Sequence, residues 1–102
     1  MPQLVNVTKR NDVLPGQVKN FYREGMSIAI ANVGGKLYAF EDSCPHMGAR
    51  LSNGNLEGAV ITCPEHSSKF DVTTGKALAV SDSPLTTYEV KVEGDRVLVR
   101  LP

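Results

Sequence analysis

Two short elements hold every cysteine and histidine of this 102-residue chain: Cys44-Pro45-His46 and Cys63-Pro64-Glu65-His66. Each supplies one soft thiolate and one imidazole, donors suited to transition metals. Residues 47–62 separate the two elements, and each follows an apolar run, Leu37 to Phe40 and Val60 to Thr62. The proline after each cysteine removes a backbone donor and stiffens the loop that must hold the ligand. In an extended segment, residues two apart project to the same side, roughly 6–7 Å from one another. That spacing is too wide to chelate one small ion without folding the loop, but it suits two ligands gripping the two metals of a dinuclear cluster. If both loops act this way, Cys44 and Cys63 meet on one iron and His46 and His66 on the other. Thiolates favour iron–sulfur clusters, and exchanging two of four for neutral imidazole raises the reduction potential.

Other chemistries compete for the same residues. Cys₂His₂ is a common structural zinc set, yet zinc-finger order keeps Cys with Cys and His with His, whereas this chain mixes them within each pair. A Cys–His nucleophile dyad would leave the second pair unexplained, and nothing suggests a substrate pocket. A structural disulfide accounts for neither histidine. Iron–sulfur leads, with zinc as the alternative.

The elements that must position these residues read as short strands separated by turns. Gln17 to Tyr22 mixes Val18, Phe21 and Tyr22 with polar residues. Met26 to Ile30 alternates, Val33-Gly34-Gly35 turns the chain, and Leu37 to Phe40 follows, a hairpin pattern. Val90 and Val92 alternate with charged residues before Gly94-Asp95, and Val97, Val99 and Leu101 follow; a Gly-X pair suits a type II′ turn. No window sustains a helical period over three turns, and Pro15, Pro45, Pro64 and Pro84 interrupt the candidates. The expectation is a mainly antiparallel all-β domain. Its base comes from the chain's two ends, about 1–42 and 71–102, with a loop-rich insertion at about 43–70 that carries both Cys and both His. The aromatics Phe21, Tyr22, Tyr38, Phe40 and Tyr88 read as core or sheet-face residues.

The length allows one domain, 1–102, with a modest core. Apolar residues at 41% argue against wholesale disorder. Eleven basic and eleven acidic residues cancel, which removes the electrostatic basis for binding nucleic acid. No apolar run approaches the roughly 20 residues of a membrane-spanning helix. Met1-Pro2-Gln3-Leu4-Val5-Asn6 lacks the basic-then-apolar layout of a secretory signal, so the expected compartment is the cytoplasm.

Cys-x-His, a gap of residues 47–62, then Cys-x-x-His resembles the Rieske iron–sulfur signature. Gly48 and Leu51 after the first element, Phe70-Asp71 and Thr74-Gly75 after the second, and the turns at Gly25, Gly34-Gly35 and Gly94 extend the likeness over nearly the whole chain. The resemblance implies a three-sheet β fold with a cluster-binding subdomain. It also implies one [2Fe–2S] cluster on Cys44, His46, Cys63 and His66, with the His-bound iron nearest solvent. In high-potential Rieske proteins of the respiratory type, a Ser and a Tyr after the second ligand pair donate hydrogen bonds to sulfur. Here Ser68 matches the Ser, but Phe70 stands at the Tyr position, and the two further bridging cysteines of those proteins are absent. The expected potential is therefore below the respiratory type, with Ser68 either raising it somewhat or remaining a solvated loop hydroxyl. Glu65 reads as a solvated carboxylate. The outer nitrogens of His46 and His66 could titrate, so the potential should fall with rising pH in the alkaline range.

Ser81-Asp82-Ser83-Pro84 resembles the proline loop that shields the cluster in this family. Met47 and Pro84 would then join His46 and His66 in an apolar docking edge for protein redox partners. The likeness implies a one-electron carrier without catalytic residues of its own, between a flavin-dependent reductase and a terminal oxygenase. The chain leaves no room for the mononuclear iron domain of an oxygenase subunit. Alternatives are a Rieske-like small subunit of a reductase such as nitrite reductase, and a zinc-stabilised interaction module.

Overall fold

A computed structural model describes residues 3–45, 49–65, 67–79 and 83–102. The described residues form eleven strands and two single 3₁₀ turns, Arg10–Asp12 and Leu51–Asn53, with no α-helix among them. The strands are β1 Gln3–Lys9, β2 Val18–Arg23, β3 Met26–Val33, β4 Lys36–Glu41, β5 Asn55–Glu57, β6 Val60–Thr62, β7 Lys69–Asp71, β8 Ala77–Ala79, β9 Thr87–Tyr88, β10 Val90–Glu93 and β11 Arg96–Leu101. They pair antiparallel in three sheets, in the orders β1-β11-β10, β2-β3-β4-β9 and β5-β6-β7-β8. This is the expected all-β class.

The second sheet separates two apolar layers, and β3 shows how the sequence specifies both. Successive side chains of a strand point to opposite faces. Ile28 and Ile30 pack on one side with Val7, Val97, Val99 and Leu101, closing the layer between the first and second sheets. Ala29 and Ala31 face the other way and share a layer with Phe40, Leu51, Ile61, Phe70, Leu85, Cys44 and Cys63. The small alanines leave room for that bulkier layer. The strand is thus buried on both faces, whereas the alternation expected over Met26 to Ile30 suggested a single buried side.

The hairpins fall where the turn residues put them. Arg23 pairs with Met26 across Glu24-Gly25, and Val33 with Lys36 across Gly34-Gly35. Glu93 pairs with Arg96 across Gly94-Asp95, with Gly94 at φ 62° and Asp95 not among the positive-φ residues, as a type II′ turn requires. Three features differ from the expectation. β1 was not anticipated as a strand, because a register shift between Asn6 and Thr8 breaks its pattern. The segment expected to be loop-rich contains β5, β6 and β7, strands of three residues that are too short for alternation to show. β7 then pairs with β8, so the third sheet runs on to Ala79 rather than stopping near Phe70.

Candidate metal centre

Cys44 follows the end of β4, and Cys63 follows the end of β6. Both are free thiols, and each is only 2% exposed. The two loops close in the same way. The Cys44 amide donates to the Ala49 carbonyl at 2.8 Å, and the Cys63 amide donates to the Ser68 carbonyl at 2.7 Å. In each case the cysteine amide is bonded to the carbonyl of the fifth residue after it. The second loop carries a left-handed residue that is not glycine, Ser67 at φ 58°.

The two thiols share one buried layer. Burial pushes the Cys63 thiol up from its ordinary pKa, a bond from the Glu65 amide pulls it down, and the neighbouring Cys44 thiol pushes it up again. Two buried neutral thiols gain little from that contact, whereas a cation between them would stabilise both as thiolates. Ser68, whose carbonyl accepts from the Cys63 amide, is fully buried, and its Oγ has no hydrogen-bond partner among the described residues. An orphaned buried hydroxyl costs about 1–3 kcal/mol, so this one calls for an acceptor that the described residues do not supply. Sulfur of an inorganic cluster fits that need, and soft thiolates fit its iron.

Close backbone approaches join the loops to one another. At Gly54, in the exit of the first loop, an added Cβ would lie 1.9 Å from the carbonyl oxygen of Thr62, the residue before Cys63. Gly75 has φ +83°, and a Cβ there would lie 2.5 Å from the Leu85 oxygen, while its own carbonyl accepts from the Leu85 amide at 2.7 Å. Gly75 thereby ties the Thr74-Gly75 turn to the segment containing Pro84. Leu85 is buried in the same layer as both cysteines, and Pro84 is exposed.

Of the residues expected at the site, Cys44, Cys63 and Ser68 are brought together. His46, Met47, Gly48 and His66 lie outside the described residues, as do Ser81 and Asp82 of the expected shielding loop. Glu65 is exposed, and Phe70 is buried in the layer beneath the loops. One residue was missed. Asp42 is 2% exposed, and its carboxylate accepts from Asn20 Nδ2 at 2.6 Å, the Ser52 amide at 2.8 Å and Ser52 Oγ at 2.5 Å. Its place two positions before Cys44 was visible, but an acidic residue next to a serine-containing loop reads as solvated.

The Rieske [2Fe–2S] domain family matches residues 3–95. The chain belongs to this family. A relative at 45% identity over 92 residues, covering 89% of this Rieske chain and 88% of its own, is the ferredoxin component of the naphthalene 1,2-dioxygenase system of Pseudomonas putida. A ferredoxin of Sphingomonas yanoikuyae B1 superposes with a TM-score of 0.93 at 31% identity, covering 98% of this domain and all 100% of that chain. A second solved structure, a complex of reduced oxygenase and oxidised ferredoxin in carbazole 1,9a-dioxygenase, matches with a TM-score of 0.87 at 39% identity, covering 95% of this Rieske domain and 92% of that chain. The cofactor of the family is a [2Fe–2S] cluster, and the two neighbouring thiols and the orphaned Ser68 hydroxyl of this domain fit it.

Proposed function

We propose that this Rieske domain is a one-electron carrier of a multicomponent oxygenase system, taking an electron from a flavin-dependent reductase and delivering it to a terminal oxygenase. The observation that carries this reading is the pair of buried neighbouring thiols, with the fully buried and unpartnered Ser68 hydroxyl on the residue whose carbonyl closes the Cys63 loop. The ferredoxin names of relatives at this level of identity and coverage support it. They also favour a separate carrier over a reductase small subunit.

Cys44 and Cys63 hold one iron and His46 and His66 the other. The bound [2Fe–2S] cluster supplies a single reversible electron site. The burial of Cys44 and Cys63 would keep water from the iron they hold, and His46 and His66 would offer the side from which the electron leaves. Ser68 Oγ would donate a hydrogen bond to a cluster or cysteine sulfur, favouring the reduced, more negative state. Met47 and Pro84 would join His46 and His66 in a small apolar docking edge, of the size usual for short-lived electron-transfer contacts. No helix among the described residues is long and apolar enough to cross a membrane.

Anaerobic reductive titration tests the reading. It predicts uptake of one electron per chain and full reoxidation on adding an acceptor, by a protein that elutes as a free chain on size exclusion. Redox silence would overturn the carrier, and obligate co-purification with a reductase would favour the subunit.

A further inference from the structure

The first cysteine loop is closed at two levels. Near its tip the Cys44 amide reaches the Ala49 carbonyl at 2.8 Å, and at its neck the Asp42 carboxylate takes both the amide and the hydroxyl of Ser52, at 2.8 and 2.5 Å. The same carboxylate takes Asn20 Nδ2 from β2 at 2.6 Å, and the Asp42 amide donates to the Ser27 carbonyl of β3 at 3.0 Å. Asn20 is itself held by the Ser27 hydroxyl at 2.8 Å. Asp42 therefore pins the loop carrying Cys44 to the second sheet through four donor–acceptor contacts, three of them on its two oxygens and one from its amide.

The electrostatics of this clasp are one-sided. All three groups that meet the carboxylate are neutral donors, and the ion pairs among the described residues, Lys91–Glu93 and Arg100–Glu89, lie elsewhere. A buried negative charge compensated by neutral dipoles alone keeps a field that water does not screen. Adding an electron to a centre held by Cys44, two residues away, works against that field.

We propose that Asp42 is a positioning residue for the redox centre: it clasps the Cys44 loop to the second sheet, and its buried charge holds the reduction potential down. The proposal rests on the carrier reading above.

Protein-film voltammetry of the iron-loaded protein tests it, with the reduced-state EPR spectrum recorded alongside. Asp42→Asn removes the charge and keeps the shape, and raises the reduced-to-oxidised ratio at fixed poise roughly tenfold, about 59 mV for one electron. Ser52→Ala keeps the charge and removes one dipole compensating it, and shifts the potential the other way. Loosening of the loop alone would move both variants in the same direction, and that result overturns the proposal, as does an unchanged potential in a loaded Asp42→Asn. If Asp42→Asn does not load, Ser52→Ala decides: a downward shift upholds the proposal, and no shift or an upward one overturns it. A wild-type protein without a reduced-state signal would fault the carrier reading instead, so the two failures are distinguishable.

Discussion

Ser68 is the residue where packing bears most directly on the proposed electron chemistry. Its side chain is fully buried, yet its hydroxyl finds no partner among the described residues. The solvated role open to it from sequence alone is thereby excluded by burial. Replacing Ser68 by Ala is expected to lower the potential by on the order of 40 mV, the loss of about 1 kcal/mol of hydrogen-bond stabilisation in the reduced state. Voltammetry checks this, and an unchanged potential would discard the bond. Replacing Cys44 by Ala is expected to abolish cluster loading, read as loss of iron and colour. At this scale the chemistry was legible where residue type carries it: two Cys and two His at fixed spacing need no fold to suggest a metal. Asp42 was not legible, because its role comes from three donors that the fold brings from β2 and from the turn at Leu51–Asn53.

The elements hold those residues through backbone approaches that tolerate little addition. Gly54→Ala would place a Cβ 1.9 Å from the Thr62 oxygen and 3.1 Å from the Leu51 oxygen. Both neighbours are backbone, so a cysteine loop must shift. We expect a loss of more than about 2 kcal/mol, the range of substitutions that force backbone strain, read as a lower urea midpoint and weaker cluster retention. The opposite sign is expected at the first hairpin. Glu24 has φ 53° and precedes Gly25 at φ 74°, a turn in which both central residues are left-handed. Glu24→Asn relieves a penalty of about 1 kcal/mol or less and should raise the urea midpoint while leaving the potential unchanged. Hairpins were readable because Gly-containing pairs announce them. The third sheet was not, since its strands span three residues each and draw their stability from the layer beneath rather than from their own pattern.

For the whole molecule, a formal net charge of zero at pH 7 leaves little overall repulsion near neutrality, so stability there depends on particular carboxylates. Asp71 is held below its ordinary carboxyl pKa by the Thr73 hydroxyl and amide, at 2.6 and 2.9 Å. Asp12 is likewise lowered, first by the Thr8 hydroxyl and then by the Lys9 amide. A carboxylate depressed on folding contributes stability above its unfolded pKa and loses it as pH falls through the folded value. Urea midpoints should therefore drop below about pH 4, and Asp71→Asn should flatten that drop. The likeness over residues 3–95 places the chain in a family of cluster-bearing domains, so the account stands or falls on the cluster itself. Low-temperature EPR before and after dithionite, with iron and sulfide assayed on the same sample, tests this most directly. We predict two irons per chain and a signal that appears only on reduction, with the low average g-value of mixed His and Cys ligation. A colourless protein with stoichiometric zinc and no signal in either state would contradict the account.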